Sequence, residues 1–320
     1  VAAQCGLDFV GINDHHVICG KSQYINGVLF LMGTEFNICH NHYLAYHTPV
    51  SFENKQVKAA PLIEAVKKSG GIGIIAHPFE KGSNIVSFGK RYPWLDWDVQ
   101  GFDAIELWNL TSQWRDAATS YFRALYLWLF KRHGPFYQGP NPQAMAKWDQ
   151  LCLCRHVSGL AGSDLHAPIF RVLGLSYRVL DYPMLFSAVN NYVQVEGGNG
   201  DAKEDSAALL AALGQGKCWF ALDTLGLASD FSFFATAGSD GAGMGEALSL
   251  DGERAWLHVH TPQPGRIRLY RNGKLLLQRE TKKTCVISVN TGIYRVEIKV
   301  RRRRYLPWLY SNPIYIGKRE

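Results

Sequence analysis

Gly159-Leu160-Ala161-Gly162-Ser163-Asp164-Leu165-His166-Ala167-Pro168 opens small and apolar, as a buried strand does, and ends on a carboxylate and an imidazole two positions apart. Alternation along a strand places Asp164 and His166 on one face and Leu165 on the other. A carboxylate and an imidazole together at the C-terminal end of a strand can grip one divalent cation. Pro168 then stops the strand from continuing. Asp-x-His alone also occurs on ordinary loops, and its weight comes from repetition upstream.

Leu7 to Ile12 is an apolar strand that runs into Asn13-Asp14-His15-His16, after a short helical stretch, Ala2 to Cys5, closed by Gly6. Val28 to Gly33 is a second strand and ends at Thr34-Glu35. The run Ile38 to Tyr46 is read as a third strand with His40 and His42 on one face. Leu62, Ile63 and Val66 give residues 61–69 a helical face before Gly70-Gly71, and Ile72 to Ala76 is a short buried strand ending on His77-Pro78. Phe102 to Asn109 repeats the pattern around Glu106, and one long amphipathic helix is expected from Trp114 to Arg132. Its aromatic part, Tyr121 to Phe130, is too short to span a bilayer and carries Arg123, so it reads as a buried helix face.

Short apolar strands that alternate with helices, and end in metal-competent residues, predict a parallel α/β barrel with its site at the strand C-termini. A doubly wound sheet would gather its chemistry at one switch point, and neither common Gly-rich phosphate loop is present. Beyond the helix Ala207 to Leu213 the texture changes to short alternating strands split by turns such as Asn272-Gly273. That predicts a small β-sandwich, and the expected division is 1–218 for the barrel and 219–320 for the sandwich.

The charge follows the same division. The net charge is +7, but residues 251–320 carry 16 Lys and Arg against 5 Asp and Glu, while the first 250 hold 18 against 22. Arg301 to Arg304 could grip a nucleic acid or an anionic lipid, although a solvated hairpin tip is the favoured reading. Seven cysteines without regular spacing argue against a disulfide framework and favour a reducing compartment such as the cytoplasm. No apolar run reaches the roughly 18–20 residues of a membrane span.

The strand-end residues are His15, Glu35, His42 (or His40), His77, Asp164 and His166. Imidazoles and carboxylates without cysteine suit Zn²⁺, Mn²⁺ or Fe²⁺. They outnumber what one tetrahedral ion needs, which points to a multinuclear site. Asp14 and Glu106 are placed as possible supports behind the ligands, and His40 as a second choice for the His42 position.

The segments Gly6 to His15, Gly33-Thr34-Glu35, Ile75 to Pro78 and Gly162 to His166 resemble, in order and spacing, motifs of the PHP (polymerase and histidinol phosphatase) superfamily, over about residues 1–215. The tail, with Tyr294 to Glu297 and Pro307 to Tyr315, resembles the β-domain of the carbaryl-hydrolase-like branch. The resemblance implies a distorted seven-stranded β/α barrel with up to three metal ions, hydrolysing phosphoesters. Glu35 would bridge two ions, His42 and His77 would complete one, His15 and His166 would share another, and Asp164 would help hold the third. The family's first motif, His-x-His followed by Asp, has no counterpart before Val1, so a chain cut short at the N-terminus is expected and, with it, an incomplete active site.

The expected function is a metal-dependent phosphoesterase acting on a small-molecule substrate, with no catalytic group beyond water whose pKa the metals lower from ~15.7 towards ~7. Alternatives are a carboxylester or carbamate hydrolase on the same site, or a degenerate, non-catalytic binding module.

Overall fold

The computed structural model describes residues 1–17, 20–38, 40–49, 58–85, 89–166, 169–172, 175–250 and 254–318. Ala167 and Pro168, which close the stretch quoted above, lie outside them.

The first half is organised on a seven-stranded sheet made of β1 (Phe9–His15), β2 (Gln23–Ile25), β3 (Val28–Ile38), β4 (Asn41–Tyr46), β5 (Ile72–Ile75), β6 (Ala104–Asn109) and β7 (Ser158–Gly162). Its order is β1-β3-β4-β5-β6-β7, with β2 paired to β3. β1–β3, β5–β6 and β6–β7 are parallel, but β4 runs antiparallel to both neighbours, so the sheet is mixed rather than all-parallel. The reason is covalent. Only two residues separate the end of β3 from the start of β4, enough for a hairpin and far short of a parallel crossover. His40 therefore lies in an exposed turn, and only His42 belongs to the strand.

The helices are α1 (Ala59–Lys68), α2 (Leu110–Ala117), α3 (Tyr121–Phe130), α4 (Pro142–Cys154), α5 (Tyr182–Phe186) and α6 (Ala202–Gly214). α1 buries Leu62, Ile63 and Val66 and stops before Gly70, which takes a left-handed φ of 77°. Asn141 and Asp201 cap α4 and α6 by accepting two backbone N–H groups each. The single helix expected over 114–132 is two. Ala118 leaves helical geometry with ψ at 67°, and the Ser120 side chain caps a new helix by accepting from the Arg123 N–H.

β8 (Ile169–Val172) and β9 (Leu175–Arg178) form a hairpin, and the remaining strands make two sheets. One contains β10 (Val189–Val193), β11 (Cys218–Leu222), β14 (Ala247–Leu250), β16 (Gly265–Arg271), β17 (Lys274–Thr281), β19 (Gly292–Arg301), β20 (Tyr305–Ser311) and β21 (Ile314–Lys318). The other contains β12 (Ser232–Ala237), β13 (Asp240–Gly243), β15 (Ala255–His260) and β18 (Thr284–Val289). Asn272 and Gly273, at φ 50° and 74°, make the tight turn between β16 and β17.

The two halves are joined by polar clamps and by a shared core. The boundary expected between 218 and 219 falls inside β11, which pairs with β10 on one side and β20 on the other. The fully buried Asn312 accepts from the Gly159 N–H at 2.7 Å and donates to the Gly159 and Cys218 carbonyls at 2.9 and 3.0 Å. Asn191 makes the same two-way bond to Ala161, at 2.9 and 2.7 Å. Two side-chain amides thus stand where a backbone ladder would join β7 to the strands beyond it. Arg295 on β19 grips Asp149 of α4 with two bonds of 2.7 Å, and Tyr310 stacks on Phe220 and meets Trp108 edge-on. One apolar cluster runs from Phe36 to Ile316 and takes in both Trp108 and Trp308.

Candidate metal centre

The hairpin between β3 and β4 fixes the centre of the site. Glu35 on β3 and His42 at the start of β4 are buried, and His77 is buried immediately after β5 and Ala76. One ligand atom from each of these three lies within 4.8 Å of the others. Glu35 Oε1 stands 2.5 Å from His42 Nδ1 and 3.8 Å from His77 Nε2, while Oε2 faces His15 Nδ1 at 3.7 Å. The two carboxylate oxygens therefore serve different imidazole sets.

Despite that proximity, Glu35 Oε1 and both ring nitrogens of His42 are buried without hydrogen-bonded partners among the described residues. Their lone pairs converge without aligning on one another. Buried polar atoms are rarely left so, and the chemistry of the three donors suits a divalent cation. The residues fit the group.

Each ligand is held from behind. The His77 N–H donates to Glu106 Oε2 at 2.9 Å, and Asn109 Nδ2 donates to the same oxygen at 3.0 Å. Gly162 is required beside it, because a Cβ there would collide with the Glu106 carboxylate. Glu80 lies 3.8 Å from His77 Nδ1 and is ion-paired with Arg115 of α2. Nδ1 has a carboxylate nearby but no hydrogen bond among the described residues, and Nε2 faces Glu35. His42 packs between the rings of Tyr92 and His77, at 4.6 and 4.8 Å. His77 takes a φ of 28°, a strained value for a residue with a side chain, and its backbone N–H is held there by Glu106.

The electrostatics follow from burial against paired charge. Burial opposes ionisation of Glu35, but His42 and His77 outweigh it and hold its carboxyl well below the usual range. Burial would likewise keep His77 neutral, yet Glu35, Asp164, Glu106 and Glu80 around it push the ring up to about 10. His42 moves down, first through burial and then through the charge on His77. Burial, reinforced by Asp164, raises Glu106 to about 7 against the pull of His77 and Asn109.

His15 and His166 form a second, more open pair with Nε2 atoms 3.2 Å apart. His15 Nδ1 meets Asn37 Oδ1 at 3.2 Å, and His166 Nδ1 meets Asp164 Oδ1 at 3.2 Å. The hydrogen bond that His166 donates to Asp164 lifts its ring to about 9. Asp164 and His166 do not share a strand face as expected. β7 ends at Gly162, the Ser163 carbonyl turns to accept from the Thr111 N–H and hydroxyl, and Asp164 adopts a φ of 50°. The loop, not strand alternation, brings them together.

Asp14 sits on an exposed strand end, its carbonyl accepting from Thr34 Oγ1 at 3.1 Å. His258 and His260, the other His-x-His of the chain, are bonded to Thr236 and Thr284 on the four-stranded sheet. Glu80, Arg115, Asn109, Asn37 and Tyr92 went unnoticed in the sequence. Only Glu80, three residues beyond His77 in the same turn, had a signal that could have been read.

The centre opens onto a cavity of about 1180 Å³, lined on one side by β1 and on the other by β10, and reaching Tyr192, Trp219 and Asp223. Burial raises the Asp223 carboxyl to about 6, although Asn190 and Tyr192 both donate to it. An acid raised in the folded state stabilises fully below its unfolded value of 3.8, and that contribution is lost as pH rises through about 6. Asp223→Asn removes this loss. Its stability relative to the parent should rise by roughly 2–3 kcal/mol between pH 4 and 7 in urea titrations, and a pH-independent difference would show that Asp223 is not raised.

No protein-family model matches this chain, and no curated protein does. Among solved structures it is similar, at a TM-score of 0.40 and 12% identity, to the crystal structure of a two-domain protein containing a predicted PHP-like metal-dependent phosphoesterase from Bacteroides vulgatus, over 96% of this chain and 86% of that one.

Proposed function

We propose that this chain is a metal-dependent hydrolase of the PHP type whose substrate is a small phosphoester. The observation that carries the reading is the buried cluster Glu35–His42–His77, with its ligand atoms within 4.8 Å of one another and partners lacking for Glu35 Oε1 and His42. The order and spacing of the motifs at His15, Glu35, His77 and Asp164-Leu165-His166 support it.

A divalent cation held there would supply Lewis acidity toward a phosphoryl oxygen and a water activated near neutral pH. The chain's own residues do the positioning. Glu106 and Asn109 fix the His77 backbone, Glu80, paired with Arg115, sets a carboxylate beside its ring, and Tyr92 covers His42. His15, Asp164 and His166 form the cavity rim beside Glu35, where further ligands or a substrate anion would be met. His166 stands at that rim with Nδ1 on Asp164 and Nε2 on His15, so its ring is held in place by both.

The test is turnover of p-nitrophenyl phosphate against p-nitrophenyl acetate after loading with Zn²⁺ or Mn²⁺. Phosphate release that disappears with a chelator and in Glu35→Gln is expected. Turnover of the acetate alone would replace the reading with a carboxylester hydrolase, and inactivity on both with stoichiometric metal binding would leave a binding module.

A further inference from the structure

Helix α3 is apolar on its outward face as well as its inward one. A helix lying on a protein turns its apolar stripe inward. In α3 only Leu127 is buried, with Ala124 and Trp128 packed beside it on the core. The outward face holds Tyr121, Phe122, Leu125, Tyr126, Leu129 and Phe130, which repeat at four-residue spacing and merge into one stripe. Phe122 is 88% exposed, Tyr121 74% and Phe130 69%. The aromatic run read from sequence as a buried face is thus mostly an exposed one. Patches of this kind mark interaction surfaces.

The helix is pinned at both ends. Before it, the carbonyl of the buried Ala118 accepts from Ser83 Oγ at 2.5 Å. After it, Arg132 bonds to the Val179 carbonyl and to Asp181, each at 3.0 Å. The aromatic face is therefore presented by the body of the protein rather than by a frayed segment.

Charge identifies what would cover it. Residues 117–134 contain no Asp or Glu, while Arg123 and Lys131 are exposed at the margins of the stripe. A second copy meeting this face about a two-fold axis would bring four such cations to one apolar interface with no carboxylate on either helix. An anionic surface with an apolar interior meets both requirements. Ten residues reach about 15 Å, half of a ~30 Å hydrocarbon core, so the helix can lie in the interface but cannot cross it. Tyr, Trp and basic side chains are the residues that settle at that depth.

We infer that α3 is a monotopic membrane contact, which seats its Tyr121–Phe122–Leu125–Tyr126–Leu129–Phe130 face in the surface of a bilayer bearing anionic phospholipid. The inference is independent of the metal centre. The test is flotation of the full chain with phosphatidylcholine vesicles, with and without phosphatidylserine. Binding is expected to the phosphatidylserine vesicles, to weaken with salt, and to fall about tenfold or more in Phe122→Ser/Phe130→Ser and again in Arg123→Glu/Lys131→Glu. Circular dichroism and thermal unfolding of both variants should match the parent, since none of the four side chains packs in the core. No flotation of the parent overturns the inference. So does undiminished binding by the Phe122/Phe130 variant, which would move the contact elsewhere, for example to Arg301 to Arg304. A parent dimer that the same variant dissolves, without vesicle binding, would assign the face to a second copy instead.

Discussion

Exchange of His77 for alanine will abolish tight binding of a divalent cation by this chain, and the same exchange at His166 will spare it. The difference lies in the number and burial of the ligands. Glu35, His42 and His77 make a buried three-ligand pocket, and three protein ligands would leave a catalytic ion one position for water. His15 and His166 are a two-nitrogen pair at the exposed rim. Loss of a group that merely orients a ligand costs roughly 10–100-fold in metal affinity. Loss of a ligand itself should exceed about 100-fold, and elemental analysis after dialysis, or calorimetric titration with Zn²⁺, would read it. One tightly held ion per chain is expected. Two or three ions retained by the parent, or full retention by His77→Ala, would show that the rim residues carry the affinity.

Asn312→Ala will cost on the order of 2–6 kcal/mol of stability, more than an ordinary exchange at the molecular surface. The amide satisfies one N–H and two carbonyls inside the seam between β7 and β11, at full burial. Alanine would leave the Gly159 N–H and carbonyl without this partner, while the backbone N–H of residue 312 still reaches the Cys218 carbonyl at 3.3 Å, and each orphaned buried group costs about 1–3 kcal/mol. Urea unfolding followed by tryptophan fluorescence and by far-ultraviolet circular dichroism would measure the loss. The two signals should coincide in the parent, since Asn312, Arg295 and Tyr310 tie the tail sheet to the first half. A loss under about 1 kcal/mol, or separate transitions, would mean that the halves fold independently and that the amide is a bystander.

Much of the candidate site was legible in one dimension because its candidate ligands sit where apolar strands stop. Glu35 after a run of Val, Leu, Phe and Met, and His77 after Ile72 to Ala76, announce themselves by chemistry that a strand interior would not tolerate. The resemblance already placed His42 ahead of His40, and the fold separates the two. A two-residue turn excludes a parallel crossover, reverses β4, and puts His42 opposite Asn37 while His40 stays in solvent. Asp164 and His166 were found by their spacing, but what joins them is a loop with a left-handed residue. Sequence periodicity carries no information about such a loop.

Groups that act across long sequence separations had no linear signature. Arg115 meets Glu80, Asn312 meets Gly159, and Asn37 meets His15 only after the strands are ordered. Helix α3 shows the converse failure. Aromatic content reads as core because burial is the usual fate of Phe, Tyr and Leu, yet which face of a helix turns inward is set by its neighbours. Composition alone determined that Tyr121 to Phe130 is apolar and bordered by cations; only the packing of Leu127, Ala124 and Trp128 against the core decided that the rest of it faces outward.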